Sequence, residues 1–170
     1  ETESERIIDR AIELGINFFD TSNSYSYGDS ERVLGSALAE YDRDEQVVAS
    51  KVRFAPEADA HRNASGLSRK TIEQELENSL DRLGMETLDL YQIHRWDETT
   101  PVEVTLRALD DAVRRGKVRY IGASSMWAYQ FASALHASDR LDLERFATMQ
   151  NHYNLAYREE EREMLPLCQS

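Results

Sequence analysis

The chain has 170 residues, 41% of them hydrophobic, which suffices for one ordinary core and excludes the disordered and fibrous classes. No run approaches the roughly 18 apolar residues of a membrane span, and the opening ETESERIID lacks the basic and apolar parts of a signal peptide, so a cytoplasmic setting with no membrane partner is expected. Thirty-two acidic residues against 20 basic ones, a formal net charge of −12, argue against a nucleic-acid partner, whose affinity rests on Lys and Arg neutralising phosphates.

The first helix is predicted where Ile7, Ile8, Ala11, Ile12 and Leu14 share a face, after a capping box Thr2…Glu5 and before Gly15. The apolar run INFFD (16–20) follows as a buried strand. A helix over about 30–40 precedes the strand QVVASKV, and a polar loop (53–67) leads to a helix over about 69–83, aligned on Ile72, Leu76, Leu80 and Leu83 and stopped by Gly84. The strand LDLYQIH comes next. Thr100, Pro101 and Glu103 predict a helix start with Pro in the first position and Glu closing a capping box, and that helix runs to Gly116. The strand VRYIGASS, a helix at about 127–137 and a strand at about 146–151 follow, and REEEREMLPLC opens another helix. Residue 1 is not Met and both ends fall inside helical patterns, which predicts a piece of a longer chain.

Strands alternating with helices imply parallel pairing, in either a doubly wound sheet or a β/α barrel. The strands finish on Asp20, Lys51, His94, Ser124/Ser125 and Gln150/Asn151, so chemistry-bearing residues collect on one rim, as in a barrel. A doubly wound nucleotide-binding sheet calls for a Gly-rich turn after its first strand, and neither G-x-G-x-x-G nor G-x-x-x-x-G-K occurs. The expected fold is therefore α/β, a (β/α)8 TIM barrel with about five of its eight strands present.

Only Lys51, Lys70 and Lys117 are lysines; the other 17 basic residues are arginines. Such a surface suits a salt-rich, halophilic cytoplasm or ordinary solvation. A lysine kept at the end of a Val-Val-Ala strand needs a partner, and Asp20 ends the neighbouring strand. His94 ends a third strand, two places before Trp96, and Tyr25 follows Asp20 in a loop over the same rim. Taken singly, these residues read as a snorkelling lysine, a helix cap, a core histidine and a packed aromatic. Their coincidence on one rim points to a site. No H-x-H or H-E-x-x-H suggests a metal, and the lone Cys168 lies far from this rim.

The stretch GINFFDTSNSYSYGDSERVLGSAL resembles the signature G-x-N-x-x-D-T-A-x-x-Y-G-x-G-x-S-E of the aldo-keto reductases, and VVASKV, DLYQIHRWD, GKVRYIGASS and QNHYNL resemble that family's later landmarks in the same order. The likeness covers the whole chain and looks closest to the aryl-alcohol-dehydrogenase-like and potassium-channel-β-like branch. Ser22 and Ser26 stand where the pattern has Ala and Gly, and Ser125 where many members have Asn or Arg.

The resemblance implies an NADP(H)-dependent enzyme reducing aldehydes or ketones to alcohols, reversibly, with a small-molecule carbonyl or alcohol as substrate. Tyr25 would be the proton donor, Asp20 and Lys51 would pair behind it, and His94 would direct the carbonyl. Asp20, Ser124, Ser125 and Gln150 would bind cofactor, beside Asn151, and Tyr25, His94 and Trp96 would meet substrate. Trp96, Tyr27, Arg53 and Trp127 suggest an apolar or aromatic wall. By order of landmarks, residues 1–170 form a single partial barrel lacking its N-terminal strand and last two βα units. A Schiff-base lysine would be an alternative chemistry. A non-catalytic, cofactor-sensing interaction protein of the channel-β type, or an inactive truncated fragment, is the alternative class. His94 favours catalysis, because the channel-associated members lack it.

Overall fold

A computed structural model describes residues 3–56 and 63–170. Its helices are α1 (Glu3–Glu13), α2 (Asp29–Leu38), α3 (Arg69–Leu83), α4 (Val102–Arg114), α5 (Ala128–Leu141) and α6 (Met164–Gln169). They alternate with strands β1 (Phe18–Asp20), β2 (Val47–Val52), β3 (Leu88–Ile93), β4 (Val118–Ser124) and β5 (Thr148–Gln150). The strands form one five-stranded sheet in sequential order, and every neighbouring pair is parallel.

The sheet curls into a half-barrel, part of a (β/α)8 barrel. Although β1 and β5 are its opposite edges, Gln150 Nε2 on β5 donates to Asp20 Oδ2 on β1 at 3.2 Å across the concave face. Successive strand residues face opposite sides. On β2, Ser50 turns outward to Glu31 of α2 while Lys51 turns inward to Asp20.

The core lies between sheet and helices, where Val48, Val52, Tyr91, Ile93 and Ile121 meet Leu34, Ile72, Leu76, Leu106 and Leu109. Helix α3 shows why the local sequence folds as it does. The Ser68 hydroxyl accepts from Thr71 N–H at its start, Ile72, Leu76, Leu80 and Leu83 are buried along one face, and Gly84 adopts φ +67° to end it. Gly35 brings α2 against it, because a Cβ there would lie 2.3 Å from the Leu83 carbonyl oxygen. On the concave side, a Cβ on Gly122 would lie 2.4 Å from Thr148 Oγ1, so the small residue lets neighbouring inner side chains meet.

Four expectations change. The apolar run INFFD is not a buried strand: only Phe18–Asp20 pairs, Phe19 alone is buried, and Phe18 is 49% exposed. An edge strand has one neighbour, and its concave face meets no facing layer, as Tyr120 on β4, 59% exposed, also shows. Pro101 occupies the cap position rather than the first helical turn, with ψ of 133° and its carbonyl accepting from Val104 N–H. Glu103 pairs with Arg140 at 3.1 Å instead of closing a capping box, and Thr100 donates to Asp97. The charged segment near the end forms a short 3-10 turn (Glu159–Glu161) before α6 starts at Met164. On α1, Ile8, Ala11 and Ile12 pack against the core while Ile7 and Leu14 are exposed. The expected cap at Thr2 and part of the 53–67 loop lie outside the described residues.

Candidate active site

Parallel pairing sets Asp20 beside Ala49 and Lys51 beside Gln92, and His94 N–H continues the ladder to the Val52 carbonyl at 2.9 Å. The ends of β1, β2 and β3 thus deliver Asp20, Lys51 and His94 to one rim. The loop after β1 folds back over them, fixed by Thr21 N–H to the Ala49 carbonyl at 3.0 Å and Asn23 N–H to the Lys51 carbonyl at 3.3 Å.

Lys51 is only 1% exposed, so its ammonium must find three acceptors within the protein. It has three. Nζ forms an ion pair with Asp20 Oδ2, donates to the Thr21 carbonyl at 3.0 Å, and reaches the Tyr25 hydroxyl at 3.4 Å. All three hydrogen-bonding directions of the amine are thereby taken up inside the protein. Asp20 is held from two more sides, by Gln92 Nε2 on Oδ1 at 3.0 Å and by Gln150 on Oδ2.

Tyr25 opens a 3-10 turn (Tyr25–Gly28) in which Ser26 and Tyr27 have φ of 48° and 58°. Left-handed backbone explains why the resembling pattern has Gly at the position of Ser26. The Tyr25 ring meets the His94 imidazole edge-on at 5.5 Å, and the Phe54 ring does so at 5.3 Å. His94 Nδ1 lies 3.1 Å from Ser22 Oγ. Burial, reinforced by the positive charges of Lys51 and Arg95 and opposed by Asp20, lowers the His94 pKa to about 4, so the ring is neutral at neutral pH.

A second layer supports this one. Asn23 spends one amide proton on the Phe54 carbonyl and the other on Glu75, each at 2.9 Å, tying the Tyr25 loop to the loop after β2 and to α3. Glu31, fully buried, accepts from Ser50 Oγ and Arg82 Nε, each at 2.5 Å. Neither link is legible in the sequence.

At the far side of the rim, Ser125 has φ of 50°, and its N–H is shared between the Gln150 carbonyl at 3.0 Å and Asn151 Oδ1 at 3.2 Å. Ser124 and Ser125 hydroxyls lie 3.2 Å apart. Beside them opens a cavity of about 630 Å³, whose lining includes Trp96, Ser125, Trp127, His152 and Tyr157. Of the expected aromatic wall, Trp96 and Trp127 are there. Tyr27 points to solvent, and Arg53 turns to Asp97 at 3.5 Å instead.

The aldo/keto reductase family model matches residues 1–170. This chain belongs to the aldo-keto reductases. It is 44% identical to aldo-keto reductase dtxS3 of Metarhizium robertsii over 184 aligned residues, covering 95% of this chain and 50% of that protein. It is 40% identical to versiconal hemiacetal acetate reductase of Aspergillus parasiticus, over 99% of this chain and 54% of the relative. A putative aryl-alcohol dehydrogenase of Saccharomyces cerevisiae, AAD16, is 39% identical over the same shares of the two chains. This aldo-keto reductase chain therefore spans about half the length of the curated relatives it matches. Among its described residues no helix is long and apolar enough to cross a membrane.

Proposed function

We propose that this chain carries the catalytic set of an NADP(H)-dependent reductase that converts aldehydes or ketones to alcohols, reversibly. The observation that carries the reading is the buried Lys51 ammonium, whose three contacts are the Asp20 carboxylate, the Thr21 carbonyl and the Tyr25 hydroxyl.

The Tyr25 hydroxyl is the proton donor of this reading, and Lys51 Nζ lies 3.4 Å from the oxygen that must release the proton. Asp20 holds the lysine head in place through their ion pair. His94, neutral at working pH, offers an N–H to the carbonyl oxygen as negative charge builds there. Tyr25 then gives its proton to that oxygen, and in the reverse direction the Tyr25 oxygen takes the proton of the alcohol.

A nicotinamide cofactor, when bound, supplies the hydride that the carbonyl carbon receives. The rim suits its carboxamide. Gln150 gives Asp20 a single bond from its amide, and the Ser124 and Ser125 hydroxyls meet each other, which leaves hydrogen-bonding capacity on this side. Ser124, Ser125 and Gln150 would hold the carboxamide, and Asp20 would also contribute to the cofactor site. The choice of NADP over NAD rests on the family resemblance.

The share of the relatives covered and the open concave face support reading residues 1–170 as one partial barrel, with one strand before it and two βα units after it in the parent enzyme. Trp96 and Trp127 support an apolar or aromatic substrate, in keeping with the aryl alcohol named for one relative.

Turnover of an aromatic aldehyde with reduced cofactor tests the proposal. Tyr25→Phe is expected to lower kcat by about 10²–10⁴-fold while cofactor affinity stays the same. Undiminished turnover would remove Tyr25 from the role.

A further inference from the structure

Ser22 stands where the resembling pattern has Ala, so its hydroxyl is a feature of this chain rather than of the signature. The side chain is fully buried and sits among four polar atoms. Its Oγ accepts from Ser24 N–H at 3.3 Å and lies 3.1 Å from His94 Nδ1, 3.2 Å from Ser24 Oγ and 3.4 Å from Asn23 Oδ1.

A hydroxyl has one proton to give and two lone pairs to offer. The Ser24 N–H takes one lone pair. Of the three atoms that could receive the proton, Nδ1 is nearest, and an unprotonated imidazole nitrogen is a stronger base than an amide or hydroxyl oxygen. The Asn23 oxygen is at the outer limit of a hydrogen bond. At the other end of the ring, His94 Nε2 makes no hydrogen bond within the described residues, and His94 is only partly buried. The ring is neutral near neutrality, so only one of its nitrogens carries hydrogen.

We infer that Ser22 is a positioning residue: its hydroxyl donates to His94 Nδ1 and thereby selects the Nε2–H tautomer, presenting that N–H on the rim. The consequence for catalysis rests on the proposed role of His94 as donor to a carbonyl oxygen. The opposite tautomer would expose a bare nitrogen, which repels a carbonyl oxygen instead of binding it. Phe54 and Tyr25, packed edge-on against the ring, offer no competing acceptor at Nδ1. Ser22 therefore does for this histidine what a backbone carbonyl or carboxylate does elsewhere, with the opposite sense of donation.

The tautomer is read directly by long-range proton–nitrogen correlation NMR of the histidine rings in the 170-residue protein at neutral pH, with His94 assigned by the signals lost in His94→Gln. Hydrogen on Nε2 with a bare Nδ1 is the expected result, and hydrogen on Nδ1 overturns the inference. In Ser22→Ala the ring is expected to become a mixture of tautomers, and kcat for an aldehyde to fall about two- to tenfold with cofactor KM unchanged. Tautomer populations unaltered by Ser22→Ala would also overturn it. A ring protonated on Nε2 in a protein that reduces no aldehyde would refute the reductase reading and leave this one standing; a ring protonated on Nδ1 in an active reductase would do the reverse.

Discussion

Asn23 and Glu75 are joined by a 2.9 Å hydrogen bond although 52 residues separate them, and both side chains are almost wholly shielded from solvent. The bond anchors the loop that carries Tyr25 to α3, a helix that supplies none of Asp20, Tyr25, Lys51 and His94. Asn23→Ala strips the Glu75 carboxylate of a donor and frees the Phe54 carbonyl. It should cost about 1–3 kcal/mol in denaturant unfolding, and it should lower kcat more than it raises substrate KM. A loss of stability with kinetics intact would show that the loop holds its shape without the anchor.

The Asp20–Lys51 pair should respond unequally to loss of either partner. Asp20→Asn leaves the ammonium, 1% exposed, without its counter-charge, and should destabilise by about 3 kcal/mol. Lys51→Met fills the same volume with an apolar chain. It leaves a carboxylate that is 28% exposed and still receives bonds from Gln92 and Gln150, so under about 2 kcal/mol should be lost. Both variants should lose turnover. Chemical denaturation of the pair decides the order, and equal destabilisation would contradict it.

His94 and Asp97 set the acid limit. Burial and the charges of Lys51 and Arg95, against the opposing Asp20, bring the folded His94 pKa from the ordinary 6.5 down to about 4. Between those values the unfolded chain binds more protons than the folded one, so stability is complete above about 6.5 and drains away as pH falls through 4. Burial by itself would raise Asp97, but bonds from the Thr99 hydroxyl, the Leu67 and Thr99 N–H groups and the Thr100 hydroxyl outweigh it, and its pKa falls from 3.8 to about 2. That carboxylate extends the same trend to lower pH. Melting temperature against pH should therefore slope upward from 4 to 6.5, and His94→Gln should flatten the slope.

Replacing a helical glycine by alanine ordinarily stabilises, by about 1 kcal/mol. At Gly35 the sign should invert. The added methyl would meet the Leu83 backbone oxygen at 2.3 Å, and backbone cannot rotate aside as a side chain can. Gly35→Ala is expected to cost about 1–3 kcal/mol by forcing α2 and α3 apart, and thermal unfolding checks it.

Patterns that are local in the chain were legible. The order of helices and strands follows from apolar periodicity with Gly84 and Gly116 as stops, and Asp20, Lys51 and His94 declare themselves as polar endings of apolar strands. Gln92 shares a strand face with His94, but a glutamine inside an apolar run carries no signal that sets it apart from other buried polar residues. What the sequence could not reveal is pairing at a distance: Ser22 with His94, Asn23 with Glu75, Arg53 with Asp97. The exposed face of β1 is hidden from the sequence for a related reason. INFFD has the composition of an interior strand, and its exposure depends on what lies across the concave side rather than on its own residues.

The contact between Gln150 and Asp20 carries a consequence for the order in which the molecule is assembled. Strand β1 and the two strands after it supply Asp20, Tyr25, Lys51 and His94 from consecutive stretches, each strand pairing with the one made just before it. A growing chain can therefore gather these four while β4 and β5 are still being synthesised. The bond from residue 150 back to residue 20 spans 130 positions, so its loop-closure entropy is the largest of any side-chain contact described for the site, and it should form last. Gln150 thus acts as the latch of the half-barrel, engaged only when the fifth strand has arrived and the sheet has curled far enough to bring its two edges face to face.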